Sequence, residues 1–386
     1  MTEAVGAGDE LELYGAECTV PEIRQFLRST FERNTMAIER GYPRETACIW
    51  GLHGIGKTDV GKQFAEEGYE VRDVPIAQFE EMGDFHGMPE IVIEEGTGRH
   101  ITRQALPDWV PAEEKKGILL FDDWNRADSR IVKGIMQLIQ DYRMITWSIP
   151  HGWTIVLTAN PDGGDYLVTT LDDAVLTRIR HITMVADVEA WAQWATDNNV
   201  DSRGISFVLR HKEVITNSNS RTNPRTLTEF FRTLQDMPDL KSEARAVEIN
   251  AMASLDPETA TTFLTFVNSD MSLLVEAMDI FDRFEEIRPK LEMAINGTDG
   301  TMNLDILGVI CGRVMFEAAK KGFEPNQTQI ANFQKFLCDD LVPADKVHQI
   351  LRYINQIQSD QRDSKAYTLA MSNQQLLEKI KDVLTN

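Results

Sequence analysis

The sequence predicts an α/β fold in which a core with a parallel sheet flanked by helices is followed by an α-helical lid and a C-terminal all-α domain. Three observations predict it. The stretch GLHGIGKT at 51–58 matches the pattern G-x-x-x-x-G-K-[ST] and lies between a strand-like and a helix-like segment. Two apolar runs, GILLF at 117–121 and TIVLT at 154–158, suit parallel strands covered on both faces. After Val188 strand patterns stop, and apolar residues recur at helical spacing.

Residues 1–18 read as a flexible arm, acidic and without the charged and apolar regions of a signal peptide. Thr19, with Glu22 three residues on, is a suitable cap for a helix carrying Ile23, Phe26, Leu27 and Phe31. TACIW at 46–50 is a short buried strand, and Val60, Phe64 and Ala65 mark a helix from Lys57 to about Glu67. YEVRDVPI at 69–76 alternates as a strand, and Pro75 places its end near a sheet edge. Ile91-Val92-Ile93 and His100-Ile101-Thr102 flank Gly96-Thr97-Gly98, which predicts a β-hairpin insert near 88–107. GILLF ends in Asp122-Asp123, Asp128 opens a helix, and TIVLT closes in Ala159-Asn160-Pro161. Residues 171–184 give a short helix and a strand bearing Arg178 and Arg180. Pro224 suits the first turn of a helix carrying Arg225 and Leu227. From Met252 the pattern is helical, with breaks at Asn296-Gly297, 322–325 and Val342-Pro343. The expected divisions are an arm at 1–18, the α/β domain at 19–186, the lid at 187–254 and a helical C-terminal domain at 255–386.

Composition narrows the partners. A chain of 386 residues with 42% hydrophobic content buries a large core in two or three domains. A formal charge of −22 opposes a broad electrostatic grip on nucleic acid or on an anionic membrane, and leaves only a local basic channel open to nucleic acid. Cys18, Cys48, Cys311 and Cys338 have no metal-ligand spacing and read as free thiols in a reducing, cytoplasmic setting. No apolar run reaches transmembrane length, so no membrane partner is expected.

The motifs specify chemistry. A glycine loop between a strand and a helix N-terminus points backbone N–H groups at phosphates. Gly51, His53, Gly54, Ile55 and Gly56, with Lys57, Thr58 and Asp59, form that cradle; the His53 side chain itself has an ordinary loop role. Lys57, expected to be exposed in the loop, would reach the β and γ phosphates of ATP, and Thr58 would give its hydroxyl to Mg²⁺. Asp122 would hold Mg²⁺ through its water shell, and Asp123 would orient or deprotonate the attacking water. Asn160 would hydrogen-bond that water or the γ-phosphate.

These residues resemble the AAA+ ATPases, and among them the MoxR-like and dynein-related branch with a hairpin inserted in its second helix. The resemblance covers about residues 19–240. GLHGIGKT resembles the Walker A motif, ILLFDDWNRAD the Walker B signature of that branch, and LTANP the sensor 1 strand with Asn160 as sensor. LDDAVLTRI resembles the segment ending in the arginine finger, at Arg178, and NPRTL the sensor 2 helix, at Arg225. Arg180 reads as a surface arginine beside a strand. The resemblance implies ATP and Mg²⁺ as cofactors and a homo-oligomeric ring, usually a hexamer, whose finger acts on the neighbour's site. It also implies a protein substrate, often presented by a partner with a von Willebrand A domain. The segment MGDFHG at 82–87 and the hairpin tip at 96–99 are the places to touch substrate in the pore, with a core position as the equal reading for Phe85. The chain departs from the family at Asp123, where Glu is usual, and one missing methylene would slow hydrolysis. A nucleic-acid motor or loader using Arg99 and Arg103, and a nucleotide-gated scaffold with little turnover, are the alternatives.

Overall fold

Strand alternation sets the layers of the half of the chain that holds the glycine loop. The computed structural model describes residues 14–161, 168–169, 171, 173–217, 221–269, 275–296, 302–359, 373, 375–376 and 379. The chain divides between Ala186 and Asp187 into two compact units. In the first, β1 (Ala16–Cys18), β2 (Ala47–Trp50), β3 (Glu70–Val74), β6 (Gly117–Phe121), β7 (Trp153–Ala159) and β8 (Arg180–Met184) form one fully parallel sheet, ordered β1-β8-β2-β7-β6-β3. Between β3 and β6 come α3 (Met82–His86), β4 (Pro89–Ile93) and β5 (His100–Gln104), and the short helix α5 (Asp173–Leu176) precedes β8.

Because successive strand residues face opposite sides, each central strand feeds two cores. Ala47, Ile49, Ile118, Leu120 and Val156 meet Ile23, Leu27 and Phe31 of α1 (Val20–Arg40) and Val60 of α2 (Lys57–Lys62). Cys48, Trp50, Leu119, Phe121, Ile155 and Leu157 meet Ile131, Ile135 and Leu138 of α4 (Ser129–Asp141). A sheet covered on both sides by helices is the α/β arrangement the apolar runs predict.

Two local readings change. The segment Ala16–Cys18, read as the end of a flexible arm, is an edge strand paired with Ile182–Met184. Its polar sequence carries no alternation, and it is placed by close backbone approach: a Cβ on Gly15 would lie 2.3 Å from the His181 carbonyl oxygen. The helix after the glycine loop ends at Lys62 and tightens into a 3₁₀ turn over Gln63–Glu67. Gly61 weakens the α-helix there but lets it sit against Leu120, whose methyls lie 3.1 Å from where a Cβ would be.

Helix capping follows the sequence signals. The Glu22 carboxylate accepts from the Thr19 N–H at 2.8 Å and its hydroxyl at 2.7 Å, and those bonds hold the carboxyl below the usual glutamate value. Asp128 caps α4 by accepting from Arg130 N–H at 2.8 Å.

β4 and β5 pair antiparallel, with Ile91 opposite Thr102, as a separate two-stranded hairpin whose Ile91 and Ile93 are exposed. Phe85 of α3 is instead fully buried and stacks on Trp109 with ring centroids 5.7 Å apart, which settles its two readings in favour of the core. Gly134 makes room for it, since a Cβ there would come 3.2 Å from the Phe85 ring. Phe85→Ala should therefore lower stability by about 3–5 kcal/mol, read as a shifted denaturant midpoint. A change below about 0.5 kcal/mol, the range of surface substitutions, would return Phe85 to the surface.

The second unit is helical among its described residues: α6 (Val188–Asp197), α7 (Ser202–Arg210), α8 (Glu213–Thr216), α9 (Pro224–Leu234), α10 (Ala244–Ser254), α11 (Pro257–Ser269), α12 (Ala277–Asn296), α13 (Leu304–Ala319), α14 (Gln327–Cys338) and α15 (Ala344–Ser359). α13 is apolar nearly all round, and it packs on α6, α7, α12 and α15. Among the described residues no helix is long and apolar enough to cross a membrane.

Candidate active site

Strand register gathers the predicted residues at one edge of the sheet. Trp50 stands opposite Ala159, and Phe121 opposite Leu157, so Gly51, Asp122 and Asn160 each begin the loop after a neighbouring strand. Ligands bind at this carboxyl edge in open α/β sheets.

The loop backbone needs its glycines. Gly51, Gly54 and Gly56 have φ of 152°, 74° and 98°. A Cβ on Gly51 would lie 2.7 Å from the Ile55 side chain and 2.9 Å from the Met184 carbonyl oxygen. Ile55 is buried in the core under the loop, whereas His53 and Thr58 are half-buried and Asp59 is exposed.

Lys57 overturns an expectation: its side chain is 6% exposed. The ammonium folds back to donate to the carbonyls of Gly51 at 2.8 Å and Leu52 at 2.9 Å and to Asn160 Oδ1 at 3.1 Å. A buried ammonium requires such acceptors, and curled loop carbonyls supply them.

Two connected sets of bonds follow. Asp122 Oδ1 accepts from the hydroxyls of Thr58 at 2.5 Å and Thr158 at 2.6 Å. Thr158 Oγ1 in turn accepts from the Asp123 N–H at 2.9 Å. Asp123 has left-handed backbone, φ 48° and ψ 39°, and its carboxylate has partners different from those of Asp122. Asn160 Nδ2 donates to Asp123 Oδ1 at 2.8 Å, and Arg126 donates to Asp123 Oδ2 at 3.3 Å. Asn160 thus bridges Lys57 and Asp123 through the two ends of one amide.

The sequence motifs assign no role to Asn125 or Thr158. Asn125 is 1% exposed; its amide donates to the Asn160 carbonyl at 2.8 Å and accepts from the Asn160 N–H at 3.2 Å. This two-point grip fixes the peptide that carries the Asn160 side chain. The Asn125 carbonyl also accepts from Thr169 N–H at 2.7 Å. The signal was the polar residue inside DDWNRAD, whose partner lies 35 positions away.

Charge around the loop is acidic. Lys62 is held above the usual lysine value by its hydrogen bond to Asp73, against burial, with added support from the charges of Asp73, Asp59 and Asp122. Burial pushes the Cys48 thiol, on the strand that leads into the loop, far above the usual cysteine range. The Trp50 indole N–H donates to His181 Nδ1 at 2.9 Å, which leaves Nε2–H to donate to the Leu176 carbonyl at 2.8 Å. That relay ties the loop strand to α5.

Arg178 follows α5 and is exposed, its Nε donating to Gln140 Oε1 at 2.7 Å and its Nη1 to the Ala174 carbonyl. It has no bond to the Lys57–Asp123 set among the described residues. Arg180 instead pairs with Glu45 at 2.7 Å. Arg225 is itself exposed, on the first turn of α9 in the second unit, whose cap Asn223 accepts from the N–H of Arg225 at 3.1 Å and of Thr226 at 3.2 Å.

The donor set suits a polyphosphate with a hard cation: glycine backbone, a lysine held by replaceable carbonyls, and a hydroxyl beside a carboxylate. No family model matches this chain, and no curated protein does. Solved structures of RuvB from Thermotoga maritima are similar. One point mutant has 16% identity and a TM-score of 0.38, covering 70% of this chain and 77% of that chain. Another has 15% identity and a TM-score of 0.37, covering 69% and 78%. The form described as the Holliday junction branch migration motor has 16% identity and a TM-score of 0.37, covering 70% and 76%. At these scores the likeness carries no argument about the activity or substrate of this chain.

Proposed function

We propose that this chain is a Mg²⁺-dependent ATPase that works as a homo-oligomeric ring, hexameric by its motif resemblance, and remodels a protein partner in the MoxR-like manner. The observation that carries the ATPase reading is the continuous network Thr58–Asp122–Thr158–Asp123–Asn160–Lys57 at the carboxyl edge of a parallel sheet. The protein-remodelling role and a von Willebrand A partner rest on the resemblance alone.

When bound, Mg²⁺ neutralises charge on the β and γ phosphates. Thr58 would hold it by its hydroxyl and Asp122 through the ion's water shell, and the two side chains already stand together in a hydrogen bond. Lys57 exchanges the Gly51 and Leu52 carbonyls for phosphate oxygens. Asp123 orients the water and takes its proton at a carboxylate oxygen, while Asn160 fixes that carboxylate. Arg178 acts on the neighbouring subunit's γ-phosphate, and Arg225 is the sensor arginine of the second unit. The nucleic-acid alternative has Arg99 and Arg103, but Arg103 stands opposite Glu90 and the net charge of −22 opposes it. Salt-dependent DNA binding would carry that reading instead.

Asp123 is the residue to test. Asp123→Asn keeps the shape and loses the base, so ATP binding should stay near wild type while turnover drops about 10²–10⁴-fold. Asp123→Glu restores the longer reach and should turn over at least as fast as wild type. Phosphate release alongside equilibrium nucleotide binding reads both, and unchanged turnover in Asp123→Asn would remove Asp123 from the mechanism. ATP binding by the wild type with no phosphate release would favour the nucleotide-gated scaffold.

A further inference from the structure

The guanidinium of Arg178 is met by neutral acceptors, the Gln140 side-chain oxygen at 2.7 Å and the Ala174 carbonyl. Among the described residues no carboxylate lies within ion-pair distance of it. That is not the default in a chain with 61 Asp and Glu against 39 Lys and Arg. Arg180, two positions on, pairs with Glu45, and Arg24 and Arg28 both pair with Glu67. Both elements that hold Arg178 are themselves fixed. Gln140 is on the last turn of α4, beside the buried Leu138 and Ile139, and the Leu176 carbonyl of α5 is held by His181.

We infer that Gln140 is the positioning residue for Arg178. Its oxygen fixes the Nε edge of the guanidinium, which restricts a long exposed side chain, and its neutrality leaves the charge intact for the neighbouring subunit's γ-phosphate. An acidic residue at position 140 would hold the arginine equally well but compensate its charge. The inference rests on the reading of Arg178 as a finger acting in trans.

Mixed rings test it. Lys57→Ala subunits supply an intact finger, Arg178→Ala subunits supply an intact loop, and their mixture hydrolyses ATP only where the two meet. Adding Gln140→Ala to the Lys57→Ala subunit frees the working finger and should lower mixed-ring turnover about 2- to 10-fold, the range for loss of one side-chain restraint. Adding it to the Arg178→Ala subunit should change nothing, because no finger is there to position. In otherwise wild-type rings, Gln140→Glu should lower turnover about 2- to 5-fold at low salt at unchanged ATP affinity, and recover as salt screens the new ion pair. Equal losses from both placements of Gln140→Ala would reduce Gln140 to a structural residue and overturn the inference while leaving the trans finger standing. An inactive parent mixture would overturn the trans finger, and this inference with it.

Discussion

Lys57→Ala is expected to weaken ATP binding about 10- to 150-fold, the range for losing charge-assisted hydrogen bonds of about 1.5–3 kcal/mol. The substitution also has a cost in the absence of nucleotide. Lys57 is 6% exposed and donates to the carbonyls of Gly51 and Leu52 and to Asn160. Removing the ammonium strips those acceptors of a donor, so the variant should also be less stable by about 1–3 kcal/mol. Isothermal titration with ATP and a denaturant midpoint read the two effects separately. Wild-type ATP affinity in the variant would refute the assignment of the loop.

Arg178→Ala should behave differently. Its side chain is exposed and bonded to neutral acceptors, so stability should hardly change. A finger that stabilises charge in the transition state contributes about 10³–10⁵ in rate, so ATP should bind almost normally while turnover falls by that factor. Single-turnover phosphate release at saturating ATP measures it. A loss of less than about tenfold would place Arg178 among ordinary surface arginines.

Much of the sheet was legible because buried parallel strands leave a local signature. GILLF runs directly into Asp122-Asp123 and TIVLT into Ala159-Asn160, and the pairing of the two strands brought Asp122, Asp123 and Asn160 to one edge. The caps at Thr19 and Asp128 were legible for the same reason, since a cap and its target are two or three residues apart. What escaped depends on contacts across the fold. Ala16–Cys18 is a strand only because β8 lies beside it. Phe85 is a core residue because Trp109 stacks on it and Gly134 yields space. The burial of Lys57 depends on the curl of the loop, and the grip of Asn125 on Asn160 joins residues 35 apart that no short motif connects.

The most direct measurement is ATP turnover by an equimolar mixture of Lys57→Ala and Arg178→Ala, with native mass spectrometry confirming mixed rings. Each variant alone should be inactive, one for want of a working loop and the other for want of a finger. The mixture should recover a substantial part of wild-type turnover, at interfaces where an intact loop meets an intact finger. A mixture that stays inactive although mixed rings form, or a dilute wild-type monomer that hydrolyses ATP at the full rate, would contradict the account.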